Sequence, residues 1–117
     1  MKFEVKNNVA VVEPDQILSD EQSAQNLIQA VRFHTGCSAV VLHREAFDPE
    51  LFRLSSGVAG KVLKQFTEQK MRLAIVGDFY DCYQTSMGAF IFGCNRSKQI
   101  GFWENEAEGI AWLNKIS

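Results

Sequence analysis

The sequence predicts an α/β domain with a mixed, mostly parallel sheet, helices packed on it, and one antiparallel strand at an edge. Three observations carry this. Short apolar runs alternate along the chain with stretches of i, i+3, i+4, i+7 periodicity. The chain opens with two strand-like segments separated only by Asn7 and Asn8, a turn signal because asparagine tolerates positive φ. The 117 residues contain no Pro/Gly/Ser-rich linker and no internal repeat, which suits one domain spanning 1–117.

The elements follow in order. Lys2 to Lys6 alternates apolar and polar residues, and Val9 to Glu13 is apolar up to Glu13, so the two read as a hairpin that Pro14 ends. Ser19 to Gln22, "SDEQ", fits a capping box with Ser19 as the cap. Ala24, Leu27, Ile28 and Val31 then form the apolar face of a first helix that Gly36 closes. "AVVLH" (Ala39 to His43) has the nearly all-apolar character of a central parallel strand covered on both faces. Phe47 to Leu54 suggests a helical turn or two, with Asp48 as cap and Pro49 at the first position.

The second main helix is predicted to begin near Ser55 to Gly57 and to bury Ala59, Val62, Leu63 and Phe66. "RLAIVGDF" (Arg72 to Phe79) is the clearest strand, ended by Gly77 and Asp78. Met87, Phe90, Ile91 and Cys94 mark a third helix, and Gln99 to Trp103 a last strand. Asn105 to Ile116 reads as a final helix with Asn105 or Glu104 at its cap and acids in its first turn. The order is β-β-α-β-α-β-α-β-α, and alternation after the hairpin implies right-handed parallel crossovers.

Composition excludes several function classes. Lys plus Arg is 12 and Asp plus Glu 14, a net charge of −2, so nothing suggests nucleic-acid binding. There is no long apolar run for a membrane span and no signal-peptide core in "MKFEVKNN"; a cytoplasmic protein is expected. Cys37, Cys82 and Cys94 are odd in number and lack a C-x-x-C, so small buried thiols are expected rather than disulfides or zinc. His34 and His43 are too few for a metal cluster. "GVAGK" is no phosphate loop: only two residues separate Gly57 from Gly60, and Val62 stands where a magnesium-binding hydroxyl is needed. No cofactor is expected.

Sites in open α/β sheets gather beyond the carboxyl ends of the parallel strands. His43, Arg44, Asp78, Tyr80, Asp81 and Tyr83 are predicted there, although the acids can equally cap a helix or turn a loop. A Cys82–His43 nucleophile pair lacks an orienting third residue in the sequence. Phe47, Phe52, Phe79, Trp103 and Trp112 supply aromatic surface for a partner or for the core. The predicted helix start at Ser55 to Gly57 has unpaired N–H groups that favour anions. There Ser55 or Ser56 either caps the helix or receives phosphate, and Gly57 and Gly60 permit close packing on the sheet.

"LFRLSSGVAGKVLKQF" (Leu51 to Phe66), "RLAIVGDF" and "GFWENEAEGIAWLNK" (Gly101 to Lys115) resemble the small bacterial family called domain of unknown function 4180, over nearly the whole chain. The element order also resembles the STAS domain, the sulfate transporter and anti-sigma factor antagonist type. In those domains a helix begins Asp-Ser-Ser-Gly, and in the antagonists a serine of that motif is phosphorylated and switches partner binding. The matching positions here are Ser55, Ser56 and Gly57; Leu54 replaces the acid, and the preceding loop is longer.

The resemblance implies a non-enzymatic regulatory or protein-interaction module. Ser56 would be the switch and Ser55 its neighbour, Arg53 and Lys61 the charge partners, and Phe47 and Phe52 the partner contacts. The interaction surface would run from Arg44 to Lys61 beside Asp78 to Tyr83. The alternative is a small-ligand-binding domain or minor enzyme with a pocket around His43, Asp78 and Tyr80. A homo-oligomer through the hairpin edge is a third expectation.

Overall fold

A computed structural model of the chain describes residues 3–12, 18–47, 58–78 and 99–116. Five strands form one sheet in the order β1-β2-β3-β4-β5. They are β1 (Phe3–Lys6), β2 (Val9–Val12), β3 (Ala39–His43), β4 (Arg72–Val76) and β5 (Ile100–Trp103). β1 is antiparallel to β2, and every other pairing is parallel. The helices among the described residues are α1 (Glu21–Thr35), α2 (Val58–Glu68) and α3 (Glu106–Ile116). This is the predicted α/β architecture, with the antiparallel strand at its edge.

The hairpin turn has the expected cause: Asn7 and Asn8 have φ of 53° and 65°, the left-handed pair of a type I′ turn. α1 buries Ala24, Leu27, Ile28 and Val31 as its spacing requires, and Gly36 closes it at φ 70°. Its cap differs from expectation. Asp20, not Ser19, is the cap, and the reciprocal partner is Ser23, not Gln22. The Ser23 N–H donates to Asp20 Oδ1 at 2.8 Å, and the Asp20 N–H donates back to Ser23 Oγ at 3.1 Å. A carboxylate is the stronger acceptor, and the short serine side chain reaches back without ordering a longer one.

Side-chain alternation divides the core into two layers. Ala10, Val12, Val40, Leu42, Leu73, Ile75, Ile100 and Phe102 face α1 and α2. Val9, Val11, Ala39, Val41, Ala74 and Val76 face α3, through Ile110 and Leu113. A one-directional strand order with one crossover hand puts α1 and α2 on the same face. The α1/α2 layer is the larger, with Phe66 and Phe102 fully buried; each such side chain contributes roughly 1.5–3 kcal/mol.

Between α1 and α2 the buried Gln65 is satisfied on both sides. Gln25 Nε2 donates to its Oε1 at 2.8 Å, and its Nε2 donates to Glu21 Oε2 at 3.3 Å. Buried amides need such partners.

Of the two glycines expected to pack closely on the sheet, Gly57 lies outside the described residues and Gly60 does not do so. Gly60 is exposed and a Cβ there would meet nothing within 4 Å. The tight approach is made by α3: a Cβ on Gly109 would lie 3.1 Å from Val76 and 3.2 Å from Ala74. On Gly101 it would lie 2.6 Å from Trp103 Nε1 and 2.9 Å from the Trp112 ring. Small residues on this face of the sheet let α3 sit close.

The helical turn expected after Phe47, the start of the second helix, the third helix around Met87 to Cys94, Cys82 and Cys94 lie outside the described residues. Cys37 is half-buried against the larger core. Among the described residues, no helix is long and apolar enough to cross a membrane.

Candidate functional site at the carboxyl ends of the strands

Register sets the rim of the sheet: His43, Val76 and Trp103 stand in one row at the ends of β3, β4 and β5. After His43 the chain enters a single 3-10 turn, Arg44–Ala46. After Val76 it passes through Gly77, whose N–H donates to the Trp103 carbonyl at 3.0 Å. Gly77 has φ 153°, and a Cβ there would come within 2.9 Å of Arg44 Cβ. Only glycine fits both constraints.

The rim side chains are held from three elements. His43 Nε2 donates to Glu106 Oε2, 2.9 Å away, since a carboxylate only accepts. Glu106 is the first residue of α3, where the helix dipole favours an anion. Its other oxygen takes Lys6 Nζ at 3.3 Å, and Lys6 lies 3.8 Å from Glu4 Oε2. The side chains of His43 and Glu106 are 26% and 33% exposed, so their bond is partly shielded; Lys6, at 44%, is more open. The Arg44 guanidinium donates to the backbone carbonyl of Asp78.

The structure thus brings His43, Arg44 and Asp78 to one rim, as predicted. Arg44 meets the backbone of Asp78 rather than its carboxylate. Phe47 is a correction: it is 4% exposed, lies in the α1/α2 core and forms a parallel bridge with Leu18. Its apolar ring gains more from burial than a surface contact could supply, and it is not free for a partner. Lys61 is exposed on α2. Phe52, Arg53, Ser55, Ser56, Gly57 and Tyr80 lie outside the described residues. Trp103 and Trp112 pack on each other, with ring centroids 5.8 Å apart over Gly101. Trp103 Nε1 is buried, with no hydrogen-bond partner among the described residues.

Sequence reasoning missed Glu106 at the rim and Lys6, whose side chain reaches Glu106 from the hairpin end of β1. Glu106 reads in the sequence only as a first-turn acid, and 63 positions separate it from His43. Chemically, the rim offers an oriented imidazole, a guanidinium and backbone carbonyls. Among the described residues, no group of three or more His, Cys, Asp or Glu side chains has the arrangement to hold a metal ion.

The family model described as "Domain of unknown function (DUF4180)" matches residues 4–113. No curated protein and no solved structure matches the chain.

Proposed function

Since the chain belongs to the family Domain of unknown function (DUF4180), whose description names no activity, we propose that it acts by binding, as a regulatory or protein-interaction module of the STAS-like type. The observation that carries this reading is the braced polar rim. His43 is braced by Glu106, Arg44 is tied to the Asp78 carbonyl, and Gly77 lies close against Arg44. Groups fixed in advance lose little entropy on association, which suits a recognition surface. The described part of α2 starts at Val58, and Ser55 and Ser56 stand two to three residues before it in the sequence. Phosphate on Ser56 would add charge beside the helix start and change how this rim meets its partner.

The test joins modification to binding. The purified chain is incubated with ATP and extract from its own source, and phosphopeptides are mapped. Capture of the resulting partner is then compared for wild type, Ser56→Asp and Arg44→Glu. The reading expects phosphate on Ser55 or Ser56 and a partner lost by both variants. A partner held equally by all three, or no phosphate where a control substrate is phosphorylated, overturns it.

A second reading rests on the 2.9 Å His43–Glu106 bond, since a carboxylate orienting an imidazole is also the way a general base is held. In that case the protein binds a small polar ligand at the rim. Stabilisation of wild type but not His43→Ala by a compound in a thermal-shift screen would favour it.

A further inference from the structure

β1 is an outer strand, paired only with β2 among the described strands. A two-residue type I′ turn closes on a hydrogen-bonded pair, here Lys6 and Val9. Hydrogen-bonded and non-hydrogen-bonded pairs then alternate. Lys6 and Glu4 therefore direct their backbone groups to β2. Phe3 and Val5 direct theirs to the outer edge, which no other described strand pairs with and where a sheet invites another strand.

The side chains divide as regularly. Phe3 packs on the α1 side and stacks on His34, with ring centroids 5.5 Å apart. Phe33 also meets His34, with ring centroids 5.1 Å apart and the planes at 90°. By alternation Val5 shares the face of Phe3. Val5 and Phe33 are 53% and 85% exposed, the large apolar side chains left open to solvent among the described residues. Glu4 and Lys6 stand on the opposite face, within 3.8 Å of each other.

We propose that β1 pairs with β1 of a second copy of this chain, antiparallel about a two-fold axis through Val5, so that two sheets become one. Over the described residues of β1, Phe3 to Lys6, the strand is complementary to itself in this register. With Val5 opposite Val5, each copy's Glu4 stands opposite the other's Lys6, twice over. These are non-hydrogen-bonded positions, where side chains approach most closely. The two Val5 residues exchange both backbone bonds, using the groups that β2 leaves free. An axis through Glu4 would oppose Glu4 to Glu4, and one through Lys6 would oppose Lys6 to Lys6. A shift of one residue would set outward backbone groups against inward ones. On the α1 face, Val5 meets Val5, and Phe33 extends the apolar strip beyond Phe3. Such a two-fold contact closes on itself and does not propagate.

The experiment is sedimentation velocity of the purified full chain over a concentration series, with circular dichroism and thermal melting to establish that each variant is folded. Wild type is expected to show a monomer–dimer equilibrium. Val5→Lys, at an exposed position, places like charges on the axis and is expected to abolish the dimer. Glu4→Lys and Lys6→Glu each turn two attractive cross-strand pairs repulsive and are expected to weaken it roughly tenfold or more. Mixing those two variants restores opposite charges at both positions and is expected to return association to the wild-type range. A monomer at every concentration overturns the proposal. So does a dimer indifferent to Val5→Lys, or a mixture that associates no better than its two components.

Discussion

His43 Nε2 lies 2.9 Å from Glu106 Oε2, which ties the last residue of β3 to the first residue of α3. The bond joins the rim of the sheet to the helix that covers its second face. Lys6 reaches the same carboxylate from β1 at 3.3 Å.

His43→Ala and Glu106→Ala are each expected to lower unfolding stability by about 1 kcal/mol. A double-mutant cycle between them, measured by urea unfolding, should give a coupling of ~0.5–1.5 kcal/mol. The more exposed Lys6–Glu106 pair should give ~0.2–1 kcal/mol and lose it in salt. Equal couplings in high salt would mean that the His43 bond is as open to water as the lysine pair.

Gly77 and Gly60 should respond in opposite directions to alanine. At Gly77 the backbone lies at φ 153° and the added Cβ strikes Arg44 Cβ at 2.9 Å. Gly77→Ala is expected to cost ~1–3 kcal/mol. Gly60 lies within α2 and faces open space, so Gly60→Ala should stabilise by ~0.5–1 kcal/mol. Paired denaturation curves decide the signs, and a neutral Gly77→Ala would contradict the tight rim.

Gly101→Ala tests the approach of α3. The methyl would meet Trp103 Nε1 at 2.6 Å and Trp112 at 2.9 Å. Overpacking of this kind is expected to cost ~1–3 kcal/mol and to displace both indoles. Tryptophan fluorescence, with Trp103 and Trp112 as the reporters, should change in the native state. An unchanged spectrum with unchanged stability would refute the contact.

The cap of α1 predicts an acid limb in stability. Hydrogen bonds from the Ser23 backbone and then its side chain hold the Asp20 carboxyl below its ordinary value of 3.8. A carboxylate favoured in the folded state contributes fully above the unfolded value and is lost as pH falls through the lower folded one. Asp20→Asn keeps a capping oxygen that does not titrate. The difference in melting temperature between wild type and Asp20→Asn should be level at neutral pH and shrink as pH falls below 3.8. A difference that stays constant into acid would remove the carboxylate from the cap.

Much of the fold was legible because it rests on local chemistry. Asn7 and Asn8 supply left-handed φ wherever they stand, so the hairpin followed from two adjacent residues. The spacing of Ala24, Leu27, Ile28 and Val31 can form an apolar stripe only on a helix, and those four are buried. Asn105 caps α3 by accepting the Glu108 N–H at 2.9 Å. The error at Ser19 shows the limit of motif reading: two overlapping boxes were available, and the competition between acceptors chose Asp20.

The candidate site was half legible. Chain order and the alternation of strand and helix placed His43, Arg44 and Asp78 at the carboxyl rim. Nothing in the sequence linked His43 to Glu106, or distinguished the solvent-facing Gly60 from the closely packed Gly101 and Gly109. Phe47 looked like any other aromatic until the bridge to Leu18 placed it in the core.

The sequence by itself determined the described strands and helices, the sheet type and the buried face of α1, because periodicity and turn chemistry act over a few residues. Only the tertiary structure decided which polar groups meet at the rim, which glycines bear contact, and that Val5 of β1 and Phe33 of α1 stay exposed. Those outcomes depend on distances between segments far apart in the chain, set by how two layers of side chains fill the space on either side of one sheet.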